Sequence, residues 1–151
     1  MGSSLVKITV HLIFHVKTTS TLVATEDLNR LFEYICGIIR GLDSVPIQVG
    51  GVNDHVHIFC TLPKTLSVSE FIKTIKSESS RWIKTIGDKY HTFSWQSGYG
   101  AFSVSPSLIK KTINYIQNQE EHHRVKTFHE EYKLFLDTYG IDYDERYIFN
   151  D

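Results

Sequence analysis

The sequence has few cysteines, no long apolar run and almost no net charge. Its 151 residues include only Cys36 and Cys60, which excludes a disulfide scaffold and a four-cysteine zinc site. Lys7, His11 and His15 interrupt the apolar N-terminal stretch. The longest apolar run is therefore much shorter than the roughly 20 residues that a membrane-spanning helix needs. We therefore expect a reduced, cytoplasmic protein without a membrane partner. A hydrophobic fraction of 41% and a charged fraction of 22% are typical of a globular chain.

The net charge of −1 conceals an uneven distribution. Residues 1–119 carry twelve Lys and Arg against eight Asp and Glu, whereas residues 120–151 carry four against nine. A mildly basic body is therefore joined to an acidic C-terminal segment, which by itself does not identify a ligand. The length is typical of one domain. We predict a single domain over residues 1–151, with a core at about 5–105 and a C-terminal part at about 106–151.

Hydrophobic periodicity predicts four strands and four helices. Alternating apolar residues indicate strands at 5–16, 45–52, 54–62 and 99–105. Helical spacing indicates one helix from Thr25 to Gly41, one over 68–86, one from Pro106 to about His122, and one that opens at Thr127 and ends at Gly140. Ser67 with Glu70, and Thr127 with Glu130, have the spacing of capping boxes.

The order of these elements is β-α-β-β-α-β followed by C-terminal helices. This is the order of the ferredoxin-like, or split βαβ, arrangement. We predict an α+β fold with a four-stranded antiparallel sheet, in which two helices cover one face and leave the other open. The additional C-terminal helices, a partner chain or a ligand must then occupy the open face.

The third predicted strand carries a pair of histidines. Alternation along it places Val56, Ile58 and Cys60 in the core and His55 and His57 on the open face, roughly 6.6 Å apart along the strand. Two imidazoles at this separation can bind one ion, although a His-x-His pair alone is more often two exposed positions on an amphipathic strand. Cys60 points to the opposite side, which argues against a zinc–thiolate site.

Tyr115 and Gln119 form a second candidate group. They lie four residues apart on the helix that starts at Pro106, so both project from one helix face. Either can be an ordinary surface residue. Beside the histidine pair, Gln119 can bring an amide oxygen to a metal ion and Tyr115 a nucleophile. A tyrosine, whose ordinary pKa is about 10, attacks a phosphate slowly unless a metal polarises the target. Attack by a tyrosine leaves the cleaved nucleic-acid strand covalently bound to the protein, so the bond can be re-made elsewhere. This chemistry suits strand transfer.

These residues resemble the single-tyrosine HUH transposases, which move insertion sequences as single-stranded DNA, and their relatives associated with repetitive palindromes. Four segments carry the resemblance: Gly51-Val52-Asn53-Asp54-His55-Val56-His57, Ser79-Ser80-Arg81-Trp82, Trp95-Gln96-Ser97-Gly98-Tyr99-Gly100-Ala101-Phe102-Ser103-Val104 and Tyr115-Ile116-Gln117-Asn118-Gln119.

The resemblance implies a chemistry and partners. It implies that His55, His57 and Gln119 hold Mg²⁺ or Mn²⁺, and that Tyr115 attacks a DNA phosphodiester. The products are a 5′-phosphotyrosine and a free 3′-OH, which is later rejoined to another end. It further implies single-stranded DNA with hairpin ends as the substrate, and a homodimer in which Tyr115 of one subunit can serve the histidines of the other.

Basic side chains on two predicted helices are candidate DNA contacts. They are Lys73, Lys76, Arg81 and Lys84 on the second helix, and Lys110 and Lys111 before the tyrosine. Phosphate contacts from such residues give affinity that is independent of DNA sequence, but solvated helix faces have the same composition.

We therefore predict a metal-dependent tyrosine DNA transposase. The nearest alternative is a nicking relative that cuts and rejoins hairpin repeats without mobilising itself. The same topology also serves non-catalytic nucleic-acid-binding modules, which stack bases on exposed aromatic residues of the two central strands. His55, His57 and Phe59 on the open face favour catalysis instead. A zinc hydrolase is disfavoured because only Gln119 fits as a third ligand.

Overall fold

In the computed structural model, which describes residues 2–149, four strands form one antiparallel sheet. The strands are Thr9–His15 (β1), Pro46–Val52 (β2), His55–Thr61 (β3) and Gly100–Ser103 (β4). Their order across the sheet is β2-β3-β1-β4, with β3 and β1 in the centre. The predicted α+β fold class is confirmed. The ends of the predicted domain, residue 1 and residues 150–151, lie outside the described residues.

The first and last strands are shorter than predicted. The first begins at Thr9, not at residue 5, and the last spans Gly100–Ser103 within the predicted 99–105. Thr9 pairs with Thr61, the last residue of β3, and before it the Leu62 N–H donates to the carbonyl oxygen of Ile8 at 2.8 Å. Gly50 and Gly51 lie inside β2, and Asn53 and Asp54 form the turn to β3.

Two helices cover one face of the sheet. The first, α1 (Leu28–Gly41), follows a short 3₁₀ turn, Thr25–Asp27, and ends at Gly41 as predicted. The second, α2 (Val68–Ile83), begins with the predicted capping box of Ser67 and Glu70 and ends three residues before the predicted residue 86. Their apolar side chains pack with one face of the two central strands to form the main core.

Three further helices cover the opposite face: α3 (Ile109–Gln117), α4 (Gln119–Val125) and α5 (Phe128–Thr138). The predicted capping box of Thr127 and Glu130 opens α5. The continuous helix predicted from Pro106 to His122 is wrong, because Asn118 interrupts it. The backbone of Asn118 leaves the helical range, with φ −102° and ψ 25°. Its N–H still donates to the carbonyl oxygen of Asn114 at 3.1 Å, and its side-chain amide donates to the same oxygen at 2.8 Å.

Two features of the structure bear on the predicted reducing, cytoplasmic compartment. Cys36 and Cys60 are free thiols. Within residues 2–149, no helix combines the length and the apolar character that crossing a bilayer requires. The cytoplasmic location stays a prediction.

Candidate active site

The two histidines of β3 lie beneath the C-terminal helices. Both are buried, on the sheet face opposite to Val56, Ile58 and Cys60, as the alternation predicts. Asp54, at the turn before the strand, lies with a carboxylate oxygen 2.7 Å from Nδ1 of His55. The expected open face is therefore a closed layer between the sheet and helices of the same chain.

A glycine in the neighbouring strand determines how closely the tyrosine helix approaches. Gly50 of β2 pairs with His57 across the ladder. A Cβ atom at Gly50 would lie 2.8 Å from the carbonyl oxygen of Ile116 and 2.9 Å from its side chain. Only a glycine therefore lets α3 rest directly on the sheet at this point. That contact places Tyr115, the residue before Ile116, beside the histidines.

The centre of the site is the carboxylate of Glu131, which α5 supplies. Its Oε1 atom lies 2.9 Å from Nε2 of His57, 3.4 Å from Nε2 of His55 and 3.3 Å from Nε2 of His123. Glu131 is only 2% exposed. A buried carboxylate is costly unless it is paired, and here imidazole nitrogens surround one of its oxygens.

The second oxygen of Glu131 faces the tyrosine helix. It accepts a hydrogen bond from the Tyr115 hydroxyl and another, at 3.2 Å, from the side-chain amide of Gln119. The amide oxygen of Gln119 lies 3.1 Å from Nε2 of His55 and 3.1 Å from Nε2 of His123. The structure thus brings Tyr115 and Gln119 to the histidine pair of the same chain.

Burial and pairing shift the protonation of these groups. Burial disfavours the charged form of Glu131, but hydrogen bonds from His55 and His57 outweigh it and hold the pKa of the carboxyl well below its ordinary value. Burial also lowers the pKa of His57, to about 4. For His55, hydrogen bonds to Asp54 and Glu131 outweigh burial and raise the pKa to about 9. The two histidines of the strand therefore have pKa values shifted in opposite directions.

Tyr115 is half-buried and protonated at neutral pH. Burial raises the pKa of its hydroxyl, and the neighbouring negative charge of Glu131 raises it further. A cleft of about 300 Å³ between α3 and α5 reaches the tyrosine, and Lys111 and Phe135 contribute to its lining. A substrate group can approach Tyr115 through this cleft.

The donor atoms of the site suit a divalent cation. His55, His57 and Glu131 each offer one ligand atom, and these atoms lie within 4.8 Å of one another. The amide oxygen of Gln119 is a fourth candidate. Two imidazole nitrogens and two oxygens form a mixed donor set of the kind that divalent ions of the first transition-metal row accept.

Sequence reasoning missed Glu131 and His123. His123 follows the predicted end of the tyrosine helix, and Glu131 lies in the acidic C-terminal segment, for which the sequence predicts only a helix. One signal was available, because Glu131 stands on the apolar stripe that Phe128, Tyr132 and Phe135 form at helical spacing. A single charged residue on the buried side of a helix indicates a specific partner.

The candidate DNA-contact residues lie in two places. Lys73 and Arg81 are exposed on α2, and Lys84 directly after its end, on the sheet face away from the histidines. Lys110 and Lys111 are exposed on α3. Lys76 is different, because its ammonium group donates to the carbonyl oxygens of Gln96 at 2.8 Å and Gly98 at 2.6 Å. Burial lowers its pKa to about 8. Lys76 therefore attaches α2 to the segment before β4.

Solved transposases share this fold. A Deinococcus radiodurans R1 protein assigned as a transposase aligns with a TM-score of 0.61 and 19% identity, over 79% of this chain and 95% of its own. A REP-associated tyrosine transposase bound to a REP hairpin aligns with a TM-score of 0.59 and 14% identity, over 82% of this chain and 73% of its own.

The sequence identifies the family more directly. Residues 4–119 match the family model of IS200-like transposases, and the chain belongs to that family. No curated protein sequence matches it significantly. The matched region ends at Gln119, so it includes His55, His57 and Tyr115 but not His123 or Glu131.

Proposed function

We propose that this transposase cleaves and rejoins single-stranded DNA at hairpin-marked ends, through a 5′-phosphotyrosine on Tyr115. The observation that carries the proposal is the hydrogen bond from the Tyr115 hydroxyl to Glu131, beside the His55–His57 pair. A nucleophile, a proton acceptor and metal-ligating groups meet at one point. Family membership supports DNA as the substrate, and the hairpin-bound relative supports hairpin ends.

We propose that His55, His57, Gln119 and Glu131 hold one Mg²⁺ or Mn²⁺ ion. The fit rests on the buried Glu131 carboxylate, whose negative charge faces imidazole nitrogens and an amide and thus provides an anionic centre for a cation. When bound, the ion polarises the scissile phosphate and makes its phosphorus more electrophilic.

Glu131 offers an acceptor for the proton that Tyr115 loses. As the phenolic oxygen of Tyr115 bonds to phosphorus, its proton passes to the Glu131 oxygen that already accepts it. The bond between phosphorus and the 3′ oxygen breaks, and that oxygen takes up a proton from solvent and leaves as a 3′-OH. Rejoining is the reverse of this step with a different 3′-OH. Lys111 in the cleft offers positive charge to the DNA phosphates.

Covalent capture of DNA tests the proposal. Labelled single-stranded oligonucleotides tiled across the DNA that flanks the gene are incubated with protein and Mn²⁺ or Mg²⁺, then separated on a denaturing gel. We expect an adduct that requires the metal, and peptide mass spectrometry should locate it at Tyr115. Transfer of the bound strand to a second oligonucleotide with a free 3′-OH distinguishes strand transfer from nicking alone. Hairpin binding without any adduct would favour a non-catalytic module.

The structure argues against one such module. Base stacking on the central strands needs exposed aromatic side chains there. Phe59 and Ile13, on the histidine face of β3 and β1, are each 0% exposed under the C-terminal helices.

The homodimer remains a proposal. Tyr115 lies beside the histidines of its own chain, so we propose that one chain forms a complete site, and a dimer would carry two. The resemblance implies that Tyr115 of one subunit can serve the histidines of the other. Such sharing is not needed to bring Tyr115 to His55 and His57.

Glu131→Gln tests the role assigned to the carboxylate. Glutamine keeps the shape but removes the charge and the ability to take up a proton. We expect Mn²⁺ affinity to fall at least tenfold, and cleavage to fall by about 10²–10⁴. Calorimetry and single-turnover cleavage measure the two effects. Glu120→Gln, an exposed acid on α4, is the matched control and should leave both unchanged. Equal or faster cleavage by Glu131→Gln would contradict the assignment.

Gly50→Ala tests the close approach of α3. The added methyl group meets the backbone of Ile116, so the helix must move away from the sheet. We expect cleavage to fall by about 10²-fold, because a shift of about 1 Å in a reacting group has that cost. Gly37→Ala, in α1 with nothing within 4 Å of the new atom, should leave cleavage unchanged. Wild-type cleavage by Gly50→Ala would show that the tyrosine does not depend on this contact.

A further inference from the structure

His11, on the strand next to β3, contacts the proposed metal ligand His57. His11 lies on β1, next to β3, and is 3% exposed. The pairing places Ile13 opposite His57, so His11 is the diagonal neighbour of His57 on the same face. Nε2 of His11 lies 2.8 Å from Nδ1 of His57, which is hydrogen-bonding distance.

The two nitrogens of His57 face different partners. Nε2 faces Glu131 at 2.9 Å and Nδ1 faces His11. A neutral imidazole offers a lone pair to a metal from one nitrogen only when the other carries the proton. If Nε2 is the ligand, then Nδ1 must carry the proton and donate it, and the acceptor within reach is Nε2 of His11.

We propose that His11 is a positioning residue, which holds the ring of His57 and fixes its proton on Nδ1, so that Nε2 presents its lone pair to the metal. The proposal rests on the metal site proposed above. It assigns His11 no contact with the metal or with DNA, but predicts that it controls how tightly the metal binds.

A histidine suits this position because it serves both states of the site. Without metal, Nε2 of His57 donates to the Glu131 carboxylate, and His11 donates to Nδ1 of His57. With a metal ion on Nε2, His57 would carry its proton on Nδ1, and Nε2 of His11 would accept the hydrogen bond from it.

The chain offers a matched control in His15. It lies on the same strand and the same face and is also buried, at 5% exposed. Nδ1 of His15 bonds to the carbonyl oxygen of Val16 at 2.7 Å, and its ring packs against Phe128. His15 pairs with His55 across the ladder. Substitutions of His15 therefore remove a buried histidine of the same strand and face without removing the hydrogen bond to His57.

Two substitutions separate hydrogen bonding from packing. The ring of His11 lies 5.1 Å from that of Phe135, edge to face. His11→Phe keeps a ring at this contact and removes the hydrogen bond to His57. His11→Gln removes the ring, but its amide reaches about as far as Nε2 and can donate or accept. A positioning role requires that glutamine performs better than phenylalanine, whereas a packing role requires the reverse.

Mn²⁺ affinity, measured by calorimetry on the full chain, is the primary readout. We expect His11→Phe to weaken binding by about 10–100-fold, the usual cost of losing a partner that orients a metal ligand. His11→Gln should stay within about threefold of wild type, as should His15→Phe and His15→Gln. Imidazole ¹⁵N spectra of the Mg²⁺-bound wild type should place the proton of His57 on Nδ1, which keeps the proposal testable even if a variant does not fold.

The outcomes are distinguishable. Wild-type affinity in His11→Phe, equal losses in the His15 variants, or a His57 protonated on Nε2 in the metal-bound state would overturn the role of His11 and leave the metal site intact. If neither Mn²⁺ nor Mg²⁺ binds the wild type, and His57→Ala behaves identically, the metal site fails and the inference fails with it.

Discussion

Tyr115→Phe is expected to abolish the covalent protein–DNA adduct, by at least about 10³-fold, while metal and hairpin binding stay within about twofold of wild type. The phenolic oxygen is the proposed nucleophile and not a metal ligand. Phenylalanine retains the ring, which stacks on His122 at 4.5 Å between centroids. The Glu131 oxygen that loses the hydroxyl keeps its hydrogen bond from Gln119. The adduct assay and a hairpin-binding titration measure the two parts separately.

Tyr139→Phe is the matched control for this variant. Tyr139 lines the same cleft, and its hydroxyl donates to the carbonyl oxygen of Ser103 at 2.9 Å. Loss of that hydroxyl should leave adduct formation unchanged. Normal cleavage by Tyr115→Phe would mean that another residue or water is the nucleophile.

His57→Ala is expected to weaken Mn²⁺ binding by at least about 100-fold and to remove metal-dependent cleavage. The variant loses the imidazole nitrogen nearest to Glu131 and so one of the proposed ligands. A ligand present at 100 times its Kd stabilises a protein by about 2.7 kcal/mol, which is roughly 5–10 °C in Tm for a chain of this size. We expect that Mn²⁺-induced shift in the wild type and none in His57→Ala. His55→Ala should behave in the same way.

The metal-free state provides the control for His57→Ala. His57 is buried, so alanine creates a cavity and costs stability, but the unfolding transition should remain cooperative. His15→Ala removes another buried histidine of the same face and should keep the Mn²⁺-induced shift. Loss of cooperative unfolding in metal-free His57→Ala, but not in His15→Ala, would indicate that the histidine supports the fold instead of the metal.

The parts of the fold that follow from local rules could be predicted from the sequence. The alternation of β3 placed His55 and His57 on one face and Cys60 on the other, because side chains in a strand point to opposite sides in turn. Ser67 with Glu70 located the start of α2, since a capping box satisfies backbone groups within four residues. These features depend on neighbours in sequence, and periodicity detects them.

The remaining features depend on contacts between distant residues. Glu131 reaches His57 from 74 positions along the chain, and no spacing in the sequence connects them. In the sequence Lys76 has the features of a solvated cation. In the structure its ammonium group donates to two carbonyl oxygens of the segment before β4. The break at Asn118 is a change in the backbone conformation of one residue, accompanied by a side-chain hydrogen bond to Asn114, inside a strong helical pattern. Each case is a tertiary or side-chain contact that helical and strand periods do not encode.

The division of the site between sheet and covering helices has a consequence for how the protein is made. Translation delivers His55 and His57 with the third strand, whereas Tyr115, Gln119 and Glu131 arrive only after the last strand is complete. A growing chain therefore carries both histidines before it carries Tyr115, the proposed nucleophile, and the group is complete only when synthesis has passed Glu131. A product that stops before residue 106 would contain the sequence of all four strands and would lack Tyr115, the proposed nucleophile.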